Sequence, residues 1–295
     1  MLLTSHFSHT FLTHSAPLTP HSSLTPSLTL TTLLITSIIT MITLPSLDDR
    51  GFATLVLSAA HTLPVLLFQL TLLGLEHHGL CRQHLSQPHK TPELQLVKSC
   101  YINSAVNHFL VTPFAIWLAA PYLLKFMSVS LEQEGLPTLS TLLVDVLCCV
   151  IVEDFLFYWC HRALHLPLLY KHIHKRHHEF RILKGMSIAS EYTHPVESFV
   201  GNILPVVAGP ILLSSHLVTV AVWLVIRMLK TCDAHSGYNF PWSPFNAGFP
   251  MNEARRHDFH HSANMGSYGS FFVVWDRLCG TDNAFKARQR KNKMP

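Results

Sequence analysis

His161-Arg-Ala-Leu-His165, His174-Lys-Arg-His177-His178 and His257-Asp-Phe-His260-His261 are the stretches on which the reading of this chain turns. They form one HxxxH and two HxxHH boxes, eight histidines together. On a helix, residues three and four apart share a face. The spacing therefore predicts that each box aims its imidazoles at one point. Imidazole is a ligand for zinc, iron, copper and nickel. A single zinc takes about four ligands, so eight imidazoles predict a two-metal centre. In a chain of 22 histidines one HxxHH could arise by chance, but three boxes, two of identical form, are poorly explained that way.

Two further histidines stand in distinctive contexts: His194 in Glu191-Tyr-Thr-His-Pro195 and His235 in Asp233-Ala-His-Ser-Gly-Tyr238. Adding them to the eight gives five per metal and leaves one position open on an octahedral ion. Ahead of the first box, Asp154, Tyr158, His161 and His165 are spaced by four, three and four, and so share a helical face. Metal-bound histidines usually donate their second N–H to a carboxylate or carbonyl, and an acid near a membrane is costly without a partner. Asp154 is therefore the expected acceptor behind a ligand, with Glu153 less favoured because its angle differs. The alternative for Asp154 is an ion pair with a lysine at the membrane interface. His172 points away from its box and is left out.

The rest of the chain reads as a membrane protein. It is 48% hydrophobic and 13% charged, with a mean hydropathy of +0.28, against about 25% charged residues in soluble domains. Gly51–Leu75, Ser104–Leu124 and Thr141–Cys160 are each about long enough to cross a bilayer. Ser198–Met228 is too long for one span and holds Pro205, Gly209 and Pro210. It is expected to form a hairpin or two short spans broken early. Arg82, Lys90 and Lys98 follow the first clear span, and six basic residues from Arg162 to Lys184 follow the third. Between them, Glu132 and Glu134 mark a loop without a basic residue. Basic loops face the cytosol, so the first two boxes are expected there, and a hairpin at 198–228 lets the third join them. The predicted fold class is an all-α integral membrane protein of about four transmembrane helices, with a cytosolic helical cap holding the metal centre.

Residues 1–47 contain no Asp, Glu, Lys or Arg. They read as a poorly ordered Ser/Thr/His/Pro-rich segment with a weak apolar stretch at Leu28–Leu44. Their His6, His9, His14 and His21 lack metal spacing. The basic tail 286–295 places Lys291 and Lys293 fifth and third from the end. That matches a dilysine endoplasmic-reticulum retrieval pattern, the alternative being contact with anionic lipid. Seven scattered cysteines without a CxxC read as free thiols. No basic stripe with interleaved aromatics points to nucleic acid. HExxH, GxSxG, P-loop and GxGxxG motifs are missing, so electrons for redox chemistry would have to arrive from another protein.

Tyr170–Phe180, Glu191–Pro195, His235-Ser-Gly-Tyr238, Arg256–His261 and Trp275-Asp-Arg-Leu-Cys-Gly-Thr-Asp282, taken with the boxes, resemble the fatty acid hydroxylase, or sterol desaturase, superfamily. Within it they are most similar to C4-methylsterol oxidases, and the stretch Asn202–Pro210 through Ser215-His-Leu217 also resembles the fatty acid hydroxylase domain-containing proteins. The resemblance covers about residues 140–285. It implies an endoplasmic-reticulum enzyme that hydroxylates an unactivated C–H bond of a lipid with O2. Two Fe ions would be held by His161, His165, His174, His177, His178, His194, His235, His257, His260 and His261. Electrons would come from NAD(P)H through cytochrome b5 and its reductase. The leading substrate is the C4-methyl group of a sterol. Alternatives are another lipid hydroxylase, acting on a sterol side chain, fatty acyl chain or sphingoid base, and an inactive lipid-binding relative. A metal transporter should carry its ligands within the spans, whereas these lie beyond them. The chain departs from methylsterol oxidases at Ile188-Ala-Ser190 and at Asn246–Arg256, which bears on substrate rather than metal. The implied organisation is a segment 1–47, N-terminal transmembrane helices 48–139, a catalytic domain 140–285 and a tail 286–295.

Overall fold

The computed structural model describes residues 48–126 and 135–293. The segment 1–47 with its histidines and its weak span, the loop acids Glu132 and Glu134, and the last two residues lie outside the described residues.

Every regular element described is helical; two isolated bridges, Leu85 to Tyr238 and Met251 to Phe272, are the only extended pairings among the described residues. The Asp48 side chain accepts the Gly51 N–H at 2.8 Å and starts α1, Asp49–His77. Its Leu63, Leu67 and Leu70 are more than half exposed, as lipid-facing residues would be. Next come α2, Leu94–Val106, a π-turn at Asn107–Val111, and α3, Thr112–Phe126, in one continuous rod. Thr138 caps α4, Leu139–Leu164. Short elements follow: α5, Pro167–His172, then 3-10 turns at His174–Glu179 and Ser187–Glu191. A second rod combines α6, Pro195–Glu197, a π-turn at Ser198–Ile203, and α7, Leu204–Leu213. His216 caps α8, Leu217–His235, and the chain closes with α9, Ala254–Ala263, α10, Val274–Leu278, and α11, Asn283–Lys293.

Three of these rods, Asp49–His77, Leu94–Lys125 and Pro195–Leu213, are long and apolar enough to cross a membrane. The expected span Thr141–Cys160 is helical within α4 but carries Asp145, Glu153 and Asp154. The run 198–228 does divide into two helices, though later than its prolines suggest. Pro205 directly follows the π-turn, and the rod runs on through it. The chain turns at Ser214, whose φ of 49° places it in the left-handed region. Gly209 is needed for another reason: a Cβ there would come within 2.8 Å of the Cys149 Cα. Its absence lets α7 lie directly against α4.

Two of the buried hydrophobic clusters hold the elements that carry the histidines. Val65, Cys100, Met228 and Cys232 from α1, α2 and α8 enclose the loop residues Phe180, Leu183, Met186 and Ile188. Cys149, Val150, Trp223 and Phe271 join α4, α8 and the loop after α9. Polar clamps lock the same elements. Gln69 of α1 donates to the Gly185 carbonyl at 2.8 Å and accepts from the Ser187 hydroxyl at 2.7 Å. The buried Arg227 guanidinium of α8 donates to Glu153 of α4 at 2.6 Å, and Ser270 donates to the same carboxylate oxygen at 3.0 Å. Asp276 accepts the N–H groups of Tyr268 and Gly269, both at 2.9 Å, which fixes the loop under the histidines.

Breaking a buried ion pair from one side typically costs about 3–5 kcal/mol, whereas replacing both partners by apolar groups is often close to neutral. Arg227→Met should therefore strongly lower the thermal midpoint of the detergent-solubilised protein, and the double variant Glu153→Leu, Arg227→Met should recover most of the loss. Equal midpoints for Arg227→Met and the parent would remove this pair from the stability of the fold.

Candidate metal centre

The three boxes meet beneath α4, α8 and α9. They divide into two clusters, and the division cuts across the boxes. His161, His165, His174, His178 and His260 form one set, and His177, His235, His257 and His261 the other, with the ligating atoms within each set all inside 4.8 Å. Members spaced by four stay together: His161 with His165, His174 with His178, His257 with His261. The remaining members, His177 and His260, cross to the opposite set. The expectation that each box converges on one point is thus corrected. The second box lies on a 3-10 turn, whose period alone would pair His174 with His177; there the grouping is set by the packing of the turn and not by its period. On the third, a one-position offset rotates an α-helical side chain by about 100°, which is enough to aim His260 and His261 at different centres.

The N···N distances define the chemistry. Within the five-histidine set, the His174 Nε2 lies 3.0 Å from those of His165 and His178, and the His260 Nε2 lies 3.2 Å from that of His165. Within the four-histidine set, His235 is 3.3 Å from His177 and 2.9 Å from His257, and His257 is 3.1 Å from His261. Imidazoles bound to one ion at about 2.0–2.1 Å would sit about 2.9 Å apart at right angles and about 3.3 Å apart at a tetrahedral angle, so the spread matches shared coordination.

The outer nitrogens assign the protons. His161 Nδ1 lies 3.0 Å from the Tyr268 carbonyl, His235 Nδ1 2.9 Å from that of Thr231, and His261 Nδ1 2.8 Å from that of Phe180. His260 Nδ1 lies 2.6 Å from the Gly266 carbonyl. A carbonyl only accepts, so each of these rings carries its proton on Nδ1 and turns an Nε2 lone pair inward. Such lone pairs repel one another unless a cation lies between them. Burial pushes the imidazolium pKa down, to about 4 at His161 and about 3 at His165 and His235. It holds the other six rings well below the ordinary value as well. Neutral imidazole is the form a metal requires, and the donor set fits two metal ions.

The supporting acid is not the expected one. Asp154 accepts the Phe272 N–H at 2.8 Å, so it shapes the neighbouring loop and approaches no clustered histidine. Behind His174 stands Glu197, whose Oε1 accepts from Nδ1 at 2.8 Å. The sequence did carry a signal for it. Glu197 is an acid at the entrance to an apolar run, where an acid needs a partner. His194 joins neither set; its Nδ1 accepts the Val196 N–H at 3.2 Å and caps α6. His235, by contrast, is gathered with the boxes.

A cavity of about 30 Å³ opens beside both sets. His161 and His174 face it from one and His177, His235 and His257 from the other. Its remaining wall includes Phe157, Leu164, Gly201 and Asn202. One or two water-sized molecules fit it.

The fatty acid hydroxylase family model matches residues 146–281. A very-long-chain aldehyde decarbonylase of Oryza sativa subsp. indica is 37% identical over 246 residues, covering 82% of this chain and 90% of that one. Methylsterol monooxygenase 1 of Gallus gallus is 34% identical over 207 residues, 70% of this chain and 69% of its own. The protein of that name from Rattus norvegicus is also 34% identical, over 212 residues, 72% of this chain and 71% of its own. No solved structure matches the chain. The chain belongs to the fatty acid hydroxylase family.

Two outcomes are expected at the centre. His177→Ala removes one of four ligands from its set, so metal analysis should fall from two ions per chain to about one; two retained ions would refute the ligand assignment. The metal-free chain should also be acid-labile. Unfolded histidine binds a proton near 6.5 and folded His161 only near 4. Stability is therefore full above about 6.5 and declines as pH falls toward 4, read as a falling thermal midpoint between pH 7 and pH 4.5.

Proposed function

We propose that this member of the fatty acid hydroxylase family is a two-iron monooxygenase of the endoplasmic-reticulum membrane that oxidises the C4-methyl group of a sterol. The observation that carries the proposal is the gathering of nine histidines into two adjacent clusters, five of whose rings line one small cavity. His161, His165, His174, His178 and His260 would hold one ion, and His177, His235, His257 and His261 the other. Iron bound there would supply the activation of O2 that an unactivated methyl group demands. No base can take a proton from such a carbon near neutral pH, so zinc, which has no redox chemistry, does not fit the task.

The surrounding residues have legible parts in this scheme. Phe157 and Leu164 line the cavity with apolar surface and limit water beside the reacting carbon. Glu197 fixes the orientation of His174. Exposed apolar residues of α4 and of the rod leading into α7, among them Leu147, Ile151, Phe155, Phe199 and Ile203, offer a lipid-facing approach. The substrate would come from the bilayer into a centre on the cytosolic side, a reading that the basic loops support. With no dinucleotide motif in the sequence, the electrons are assigned to cytochrome b5 and its NAD(P)H-dependent reductase. Residues 140–285 would form the catalytic domain and 286–295 a cytosolic tail.

Two relatives named methylsterol monooxygenase support the sterol. The relative named very-long-chain aldehyde decarbonylase, 37% identical over 82% of the chain, favours a second reading in which the substrate is a long-chain lipid.

Cells lacking the protein should accumulate 4-methylsterols, and the wild-type chain, but not His177→Ala, should return the profile to normal. An unchanged 4-methylsterol pool with altered long-chain aldehydes or hydroxylated acyl lipids would replace the sterol by the second reading.

A further inference from the structure

Part of the cavity wall is a π-turn, Ser198–Ile203, which contributes Gly201 and Asn202. Glu197, Gly201 and Asn202 all line the cavity. In an α-helix a residue five positions on lies about 140° around the axis, so Glu197 and Asn202 would not share a face. The π-turn at Ser198–Ile203 adds one residue to the turn and brings them to the same side. Such turns inside α-helical rods frequently mark functional sites.

Two of the hydroxyls that line the cavity are occupied. Ser190 donates to the Ser187 carbonyl at 2.9 Å, and the Thr193 hydroxyl pairs with that of Ser198 at 2.6 Å. Thr231 gives its carbonyl to His235, and its hydroxyl has no partner among the described residues. The Asn202 amide, half-buried, has no hydrogen-bond partner among the described residues. Glu197 adds a second open position, since its buried Oε2 is also without a partner. Both groups stand within a cavity too small for more than the reacting end of a lipid. An unpaired polar wall there is costly to an all-hydrocarbon substrate and suits one with a hydroxyl close to the carbon being oxidised.

We infer that Asn202 is a specificity-determining residue that hydrogen-bonds a hydroxyl group next to the oxidised carbon. The inference rests on the sterol reading above: the 3-hydroxyl of a sterol is borne by the ring carbon adjacent to C4, three bonds from the methyl carbon. Gly201, beside Asn202, leaves this wall open. A Cβ there would already be in contact with Leu164 at 3.4 Å.

The test compares a 4-methylsterol bearing a free 3-hydroxyl with its 3-methyl ether on the metal-loaded, membrane-embedded enzyme. Wild type should prefer the free sterol by at least about tenfold in kcat/KM. Asn202→Ala should lose about tenfold on the free sterol and little on the ether, so that the ratio approaches one, with both metals retained. Asn202→Ser, which keeps a small hydrogen-bonding group, should hold an intermediate ratio and guards against misfolding of the alanine variant. An active enzyme whose two variants keep the wild-type ratio overturns the inference alone. A metal-loaded wild type that oxidises neither sterol overturns the sterol reading and the inference together.

Discussion

Nine histidines gathered into two neighbouring clusters are the constraint around which the protein is arranged. Carbonyls behind four of the rings claim the one proton each neutral imidazole carries, so those four turn a lone pair toward the centre of their cluster. A cation there would satisfy them together. Much of the surrounding fold serves to hold those outer acceptors still. The Tyr268 and Gly266 carbonyls belong to the loop that Asp276 fixes, and the Phe180 carbonyl to the loop enclosed by α1, α2 and α8. Thr231 lies one turn before His235 on α8. The histidines are thereby oriented from behind by backbone, with Glu197 the one carboxylate among these acceptors.

This division of labour also explains the buried charge near the apolar helices. Glu153, Asp154 and Arg227 look misplaced in stretches that read as spans. Glu153 and Arg227 satisfy each other and Ser270, and Asp154 takes a loop amide. Together they anchor the loop after α9 to α4 and α8. Glu153 and Asp154 thus hold in place the loop whose Tyr268 carbonyl backs His161.

The sequence made the metal chemistry legible because ligation is a matter of side-chain type and spacing. The boxes, His235 and the all-helical fold follow from that. What it concealed falls into two kinds. Backbone acceptors such as the Gly266 and Phe180 carbonyls have no residue signature, so four of the five outer partners were unreadable. The second kind is angular. Asp154 has the right helical spacing to reach the first box, yet its side chain is taken by Phe272, which is distant in sequence. His194 sits in a context like that of a ligand, but capping α6 satisfies its Nδ1. Spacing says which residues share a face; only the tertiary structure says what already occupies that face.

The crossing of ligands between clusters has a mechanical consequence. His177 and His178 are adjacent in the chain yet serve different sets, and so do His260 and His261. Two dipeptides therefore tie the centres together covalently. Helices in a bilayer tilt and slide as the surrounding lipid thickens or thins, and a pair of metals held on separate helices would drift apart with them. Here the separation is set by the reach of two neighbouring side chains, so the pair rides as one rigid unit whatever the membrane does around it.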